Sequence, residues 1–262
     1  MEYQLQRALS EKKKKIMMIL MIIVPSLEIL QVFYEYWKYG LELPYPMYAT
    51  FLSLYSRGHI IQSLYLWFLP MYLLILVGEE SIEDFKTGIK NILICRIGKT
   101  KYIKGKLKSS FITSISIVGI GLLVNFILVQ FAYTEGTYLR YGGEYMVYDI
   151  TTMPEILLFE WSYTNPVLTN LLYIVITMLF AGLIGMLGTM LSIVLHDRKL
   201  VYAITFALWF VPILFKNSFM LVFQPFSEYG FDTVVPLAVW TSGLYILITV
   251  VLVIWEEKCN EI

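Results

Sequence analysis

The stretch VLTNLLYIVITMLFAGLIGMLGTMLSIVL, residues 167–195, contains no charged residue. An α-helix needs about 20 predominantly apolar residues to cross a bilayer, and this stretch is longer than that. Ala181, Gly182, Gly185 and Gly188 recur at helical spacing, and a face of small residues allows a neighbouring helix to approach closely. The stretch therefore predicts a membrane-spanning helix that packs against another helix, with a hinge at the glycines as the alternative.

The composition of the whole chain is that of a membrane protein. Of the 262 residues, 58% are hydrophobic and 15% are charged, whereas soluble domains contain about 25% charged residues. Lys plus Arg equals Asp plus Glu at 20 each. The net charge thus indicates no polyanionic partner, and we expect no nucleic-acid binding.

Five more segments are long and apolar enough to cross a bilayer. We predict an all-α polytopic membrane protein that forms one domain over residues 1–262. Its six spans lie at approximately 16–37, 60–78, 111–133, 167–195, 200–222 and 235–255. The fifth span is the weakest prediction, because Lys216 and Asn217 end its apolar run and Pro212 interrupts it.

The distribution of positive charge predicts the orientation of these spans. With six spans both termini lie on one side, and 16 of the 20 Lys and Arg residues fall on that side. By the positive-inside rule the N and C termini are cytoplasmic. Residues 1–15 then form a cytoplasmic amphipathic segment, and residues 79–110 form the one large cytoplasmic loop. Cys95 and Cys259 both face the reducing cytoplasm, so we expect no disulfide.

Residues 216–234 differ from the other outer segments. They contain FMLVFQPF, residues 219–226, which is apolar, flanked by charged residues and too short to span. We predict a re-entrant outer element here, before the last span.

Glu28 is the one carboxylate well inside a predicted span, three residues after Pro25. An ionised group in the hydrocarbon is unfavourable unless it is paired or faces water, so we expect this side chain to point into the protein. Two interpretations stay open: a residue of a transport pathway, or a structural glutamate beside a proline kink.

The cytoplasmic loop contains a second pattern, because Ile82, Phe85, Ile89, Ile92 or Leu93, and Arg96 recur at steps of three and four. This periodicity predicts an amphipathic helix from Ile82 to Arg96. Such a helix could lie on the membrane, with the lysines between 99 and 108 near anionic headgroups. Alternatively, its apolar face could dock into a groove on another protein.

Gly98-Lys99-Thr100, in the same loop, matches the last three residues of a nucleotide-binding P-loop. The P-loop pattern also requires a glycine five residues before this tripeptide, and position 93 is Leu. We therefore expect no nucleotide site in this chain.

This loop resembles the signature loop of type 2 ATP-binding cassette exporter permeases. An acidic group ends the second span, and Gly88, an apolar helix, Arg96 and Gly105-Lys106 follow it; the acidic residues are Glu79, Glu80, Glu83 and Asp84. The order of six spans, the N-terminal segment and the outer re-entrant element are similar as well. The chain departs from the family at Ile89, where threonine is usual, and it lacks the proline before the basic residue.

The resemblance implies that the loop helix is a coupling helix that contacts a separate P-loop ATPase subunit. The residues it assigns to this contact are Phe85, Gly88, Ile89, Ile92, Leu93 and Arg96. It also implies that a second permease copy completes the exporter, as a homodimer or a heterodimer. ATP and Mg would be bound by the partner, and this chain would hold no cofactor, no metal and no catalytic residue. The resemblance also implies that the chain lies in the cell membrane of a bacterium and contacts membrane lipid.

Small permeases similar to this one often export peptides, including antimicrobial peptides. Nine Asp or Glu, including Glu35 at the outer end of the first span, lie on the predicted outer face against four Lys or Arg, which suits a cationic cargo. Two other functions stay open. The chain could be an intramembrane enzyme that uses Glu79-Glu80 or His196-Asp197, or a membrane immunity or interaction protein that transports nothing.

The charge distribution leads to a labelling prediction. A membrane-impermeant thiol reagent should label Cys95 and Cys259 only after the cells are permeabilised, because both lie on the predicted cytoplasmic face. An impermeant amine reagent should modify Lys38 in intact cells. Thiol labelling of either cysteine in sealed cells would contradict the predicted orientation.

Overall fold

The computed structural model describes residues 11–40, 43–53, 57–136, 157–226 and 229–259, and within these ranges it contains helices and no β-strand. We number the α-helices in chain order. They are α1 (Lys12–Tyr39), α2 (Ile60–Trp67), α3 (Leu69–Leu73), α4 (Glu79–Lys86), α5 (Ile89–Ile97), α6 (Lys99–Ala132), α7 (Phe159–Thr164), α8 (Pro166–Leu195), α9 (Arg198–Phe210) and α10 (Phe231–Cys259). A π-helical turn, Leu74–Gly78, joins α3 to α4.

Four of these helices are continuous and apolar over a length that can cross a membrane: α1, α6, α8 and α10. A fifth candidate is bent, because Ile60–Trp67 and Leu69–Lys86 meet at 54°. The bend lies at Pro70, whose ring cannot continue the hydrogen-bond ladder of α2. For the part of the chain that the structure describes, the prediction of an all-α protein with several apolar helices long enough to span is thus confirmed.

The predicted fifth span, residues 200–222, is not one helix. Helix α9 ends at Phe210, Val211–Leu214 form a 3₁₀ turn, and a second 3₁₀ turn covers Phe219–Phe223. Pro212 provides the physical reason, because it has no amide hydrogen to donate to the Leu208 carbonyl. The Tyr245 hydroxyl donates to that carbonyl instead, at 3.2 Å.

The Phe219–Phe223 turn packs inside the bundle. Its rings meet Trp209 of α9 and Phe180 of α8, with centroids 5.0 and 5.1 Å apart at Phe219. Phe219 and Phe223 are fully buried. Burial of large aromatic rings is strongly favourable, so this short apolar segment is held in place without forming a span.

Helix α8 is the centre of the bundle and contacts α6, α9 and α10. A Cβ atom on Gly185 would lie 2.2 Å from Ser114 Oγ, and one on Gly182 would lie 2.7 Å from the Phe111 ring. Ser110 Oγ donates to the Gly185 carbonyl at 2.8 Å. These contacts support the packing interpretation of the small-residue face, because any larger side chain would separate α8 from α6.

The predicted outer loop at 38–59 is partly buried. Its residues Ala49–Ser53 lie between the helices, and Asn125 of α6 accepts a hydrogen bond from the Phe51 amide at 2.9 Å. Gln62 of α2 donates to the Phe51 and Leu52 carbonyls at 2.9 and 3.0 Å. Backbone groups of an inserted loop need such partners, since a buried group without one is costly. Most of the loop at 134–166 lies outside the described residues.

Gly121 provides a test of this packing. A Cβ atom there would lie 2.7 Å from the Met21 carbonyl oxygen of α1, so Gly121→Ala should force α1 and α6 apart and lower stability by about 1–3 kcal/mol. Gly105→Ala, in the same helix, is the matched control. Nothing lies within 4 Å of its Cβ position, so this variant should be roughly 0.5–1 kcal/mol more stable.

Thermal unfolding of both variants in detergent measures the difference. Equal unfolding midpoints for Gly121→Ala and Gly105→Ala would contradict the close approach of α1 and α6.

Candidate functional site

The residues of the predicted coupling loop form two helices rather than one. Helix α4 continues directly from the bent span and ends at Lys86, and α5 begins at Ile89. Gly88 between them has φ 73°, a left-handed conformation that glycine adopts without steric cost. The predicted single helix from Ile82 to Arg96 is therefore wrong, because Gly88 turns the chain in its middle.

Three of the four acidic residues of α4, Glu79, Glu80 and Asp84, lie buried at one end of the bundle, which we call the charged end. There, α1 begins and α8 ends. Lys106 of α6 reaches both Glu80 and Asp84, with Nζ–oxygen distances of 2.6 and 2.8 Å. Asp84 is fully buried, and Lys106 and Glu80 nearly so. Two carboxylates thus share one buried ammonium group, and α4 is fixed against α6.

Glu79 connects the same helix to two others. It pairs with Lys13 of α1 at 2.7 Å and with Arg198 of α9 at 3.3 Å. The Tyr202 hydroxyl donates at 2.8 Å to Oε1 of Glu79, the oxygen that Arg198 also contacts. Lys14 of α1, also buried, lies 3.9 Å from Glu80. The acidic group that resembles an exporter signature is therefore the centre of an ion-pair network, which we call the Lys106 network.

The lysines between 99 and 108 divide into two groups. Lys101, Lys104 and Lys108 are exposed, as the headgroup interpretation expects. Lys106 belongs to the buried network, and the Lys99 ammonium donates to the Glu256 carbonyl of α10. Two members of the basic stretch thus bind protein rather than lipid.

Helix α5 is held to the charged end by a second buried cation, Lys90. Its ammonium donates to the Ile193 carbonyl at 3.3 Å and to Glu256 at 3.2 Å, and it lies 3.0 Å from His196 Nε2. Lys90 is 7% exposed and Glu256 is 1% exposed. These four residues, the Lys90 cluster, join α5 to the end of α8, to the α8–α9 turn and to α10.

The sequence patterns did not identify Lys90, Glu256 or Lys106 as site residues. Lys90 falls between the apolar positions of the periodic pattern, so that pattern assigns it to the polar face and nothing in the sequence marks it as buried. No signal in the sequence connects it to Glu256, because the two residues are 166 positions apart.

His196 directly follows α8 and contacts both α4 and α5. The Phe85 ring stacks on its imidazole with the centroids 3.6 Å apart. Burial lowers the pKa of His196, the Lys90 charge lowers it further, and Glu256 opposes both effects. The imidazole is therefore neutral at neutral pH, and its Nε2 atom can accept a hydrogen bond from Lys90.

The six predicted coupling residues lie on this loop but not all on its surface. Ile92 is 66% exposed and Phe85 is 48% exposed. Arg96 is exposed as well, whereas Gly88 and Ile89 are half-buried. Leu93 points inward and packs against the apolar cluster of Tyr102, Ile103, Leu107, Met190 and Ile193. The exposed apolar surface of the loop thus centres on Ile92.

Glu28, the predicted pathway residue, is buried in α1 with 3% of its surface exposed. This agrees with a side chain that points into the protein. It lies on a different part of α1 from the Lys106 network, 14 residues after Lys14.

Comparisons with known proteins give one relative. Over 261 residues, covering 100% of both chains, the sequence is 34% identical to a Bacillus subtilis (strain 168) protein named "Uncharacterized protein YybM". No family model matches the chain. No solved structure matches it either.

The Lys106 network leads to a stability prediction. Lys106→Met leaves Glu80 and Asp84 buried without their shared cation, and breaking a buried ion pair from one side costs about 3–5 kcal/mol. Lys104→Met, two residues away on the exposed face of α6, removes the same charge from water and should change stability little. The measurement is thermal unfolding in detergent at neutral pH. Similar midpoints for the two variants would show that the network does not hold the charged end together.

Proposed function

The chain belongs to the same protein family as YybM of Bacillus subtilis, and we propose that it is the membrane subunit of a type 2 ATP-binding cassette exporter. In this proposal it moves a substrate out across the bacterial cell membrane. A separate P-loop subunit binds ATP and Mg and hydrolyses the ATP. Two permease copies and two ATPase subunits form the complete exporter. The bacterial relative favours the bacterial location.

The observation that carries the proposal is the form of α5. This nine-residue helix crosses the charged end of the bundle and is fixed from its inner side by Lys90 and Leu93. Its outer side exposes Ile92 and Ile97. A helix that only lay on lipid would need no buried ion pair to hold it. Rigid presentation of an apolar ridge is instead what a helix-in-groove contact requires.

The path of α9 supports six spans in this proposal. The 13-residue helix and the four-residue 3₁₀ turn after it reach about 27 Å at their usual rises of 1.5 and 2.0 Å per residue. A bilayer core is about 30 Å thick, so this pair of elements can serve as a short fifth crossing. With it, both termini lie on the cytoplasmic side, together with the Lys106 network and α5.

We further propose that the cargo is a peptide, such as an antimicrobial peptide, and that Glu28 faces its pathway. The burial of Glu28 among the helices fits a role inside the bundle. The acidic outer segments favour a cationic cargo, with one exception. Glu35, counted among those acids, is buried and accepts a hydrogen bond from Gln31 at 3.0 Å.

The groups that an intramembrane enzyme would need are engaged in structural contacts. Glu79 and Glu80 belong to the Lys106 network, and Asp197 caps α9 by accepting from the Lys199 amide at 2.7 Å. His196 is held between Lys90 and Phe85. These contacts favour the transport proposal over catalysis at the charged end.

The exposed Ile92 provides the test. Ile92→Asp should leave the fold intact, because the side chain contacts solvent, but it would bury an unpaired carboxylate in an ATPase groove. We expect at least about a tenfold loss of the ATPase from the complex. Asn91→Asp adds the same carboxylate at the neighbouring exposed position and is the matched control. Leu93→Asp is less informative, since Leu93 packs inward and its loss would disturb α5 itself.

The measurement is affinity purification of the tagged chain from its native membrane, with quantification of a co-purifying protein that carries a complete P-loop. Equal recovery with Ile92→Asp and Asn91→Asp would contradict docking on α5. Absence of any P-loop protein from the wild-type complex would contradict the exporter proposal and favour a non-transporting membrane protein.

A further inference from the structure

The three acceptors of Lys90 come from three different elements. Ile193 supplies a carbonyl in the last turn of α8, His196 supplies a ring nitrogen in the α8–α9 turn, and Glu256 supplies a carboxylate near the end of α10. An ammonium group has three hydrogens to donate and no lone pair. Three acceptor atoms lie within 3.3 Å of the ammonium, one for each of its hydrogens.

The position of α5 depends on all three acceptors of Lys90. A buried ammonium is tolerated only where good geometry offsets its lost hydration, so the loss of one acceptor makes the buried position of Lys90 unfavourable. Lys90 would then turn toward water, and α5 would move with it, because Lys90 lies in the first turn of that nine-residue helix. The docking surface on the outer side of α5 depends on the polar contacts on its inner side.

Of the three acceptors, only His196 can lose its accepting atom near physiological pH. A carbonyl accepts at every pH, and glutamates as a class titrate at lower pH than histidines. Protonation of the imidazole would convert Nε2 from an acceptor into a donor. It would also place a second positive charge 3.0 Å from the Lys90 ammonium.

We propose that Lys90 is the positioning residue of the docking helix α5, and that it holds α5 against α8 and α10 only while His196 is neutral. The role of α5 as a docking surface for an ATPase rests on the proposed exporter function. The positioning itself does not, because it can be measured on the chain alone.

The charges around His196 set the direction of the pH effect. Lys90 faces it from α5, Glu256 faces it from α10, and the apolar Phe85 ring covers it from α4. On its own element, Asp197 is used in the cap of α9 and Arg198 pairs with Glu79. The net effect of burial and of Lys90 is a pKa below the ordinary value of 6.5.

A lowered pKa means that the folded contact favours the neutral ring. The contact is therefore fully formed above the ordinary pKa and is lost as the pH falls through the lowered one. Acidification of the solution on this side of the membrane should release α5. In the exporter, it would weaken the contact with the ATPase.

The test is hydrogen exchange of the α5 amides in the full chain in lipid nanodiscs, at about pH 7.5 and about pH 5, corrected for intrinsic exchange rates. In the wild-type chain we expect about a tenfold or greater loss of α5 protection at the lower pH. His196→Gln keeps a carbonyl acceptor for Lys90 and cannot be protonated, so its α5 protection should not fall. Lys90→Met should exchange at least about tenfold faster at both pH values.

The controls separate positioning from general stability. Lys104→Met removes an exposed lysine from α6 and should behave as the wild type. The α8 amides, measured in the same spectra, report on the bundle. An equal pH-dependent loss in wild type and His196→Gln would overturn the proposal, and so would wild-type protection in Lys90→Met. Equal loosening of α8 and α5 in Lys90→Met would overturn it too, because Lys90 would then hold the whole bundle.

These results do not depend on an ATPase. If the expected changes in α5 protection are absent but the ATPase complex is normal, only the role of Lys90 and His196 is rejected. The expected exchange pattern without any P-loop partner would leave the positioning in place and reject the exporter function.

Discussion

A lysine ammonium inside a helix bundle is stable only where hydrogen-bond acceptors replace its lost hydration, and Lys106 meets that condition through Glu80 and Asp84 at 2.6 and 2.8 Å. Most of the charged end depends on this contact, because it fixes α4 against α6. With α4 in place, Glu79 can reach Lys13 of α1 and Arg198 of α9. Helices α1, α4, α6 and α9 are thereby aligned at one end of the bundle by charge.

The remainder of the bundle is aligned by close approach and by buried polar side chains. Glycines on α8 let Phe111 and Ser114 of α6 contact its surface directly. Toward the other end, Asn125 bridges two segments, accepting from the Phe51 amide and donating to the Pro25 carbonyl at 2.9 Å each. In lipid the hydrophobic effect does not drive helices together, so small residues and interhelical hydrogen bonds have to do it.

The loop at 79–110 combines both kinds of contact. Gly88 separates α4, which belongs to the bent span, from α5, which lies across the end of the bundle. The Lys106 network holds the first helix and the Lys90 cluster holds the second. His196 contacts both, because Phe85 of α4 stacks on it and Lys90 of α5 lies 3.0 Å away. A change in the charge of the His196 imidazole would thus alter its contacts with both α4 and α5.

The sequence by itself determined the class of the protein, since the apolar length of segments such as 167–195 is a local property that only a membrane can satisfy. It also located the loop at 79–110, the small-residue face of α8 and the buried side of Glu28, because each follows from helical periodicity or from the cost of charge in hydrocarbon. Tertiary structure decided the rest. Pro212 ends α9 locally, but the partner of the freed Leu208 carbonyl is Tyr245 of α10, and the inward position of Leu93 depends on Tyr102 and Ile103. The pairing of Lys90 with Glu256 joins residues 166 positions apart, and no local pattern encodes which distant carboxylate a buried lysine will meet.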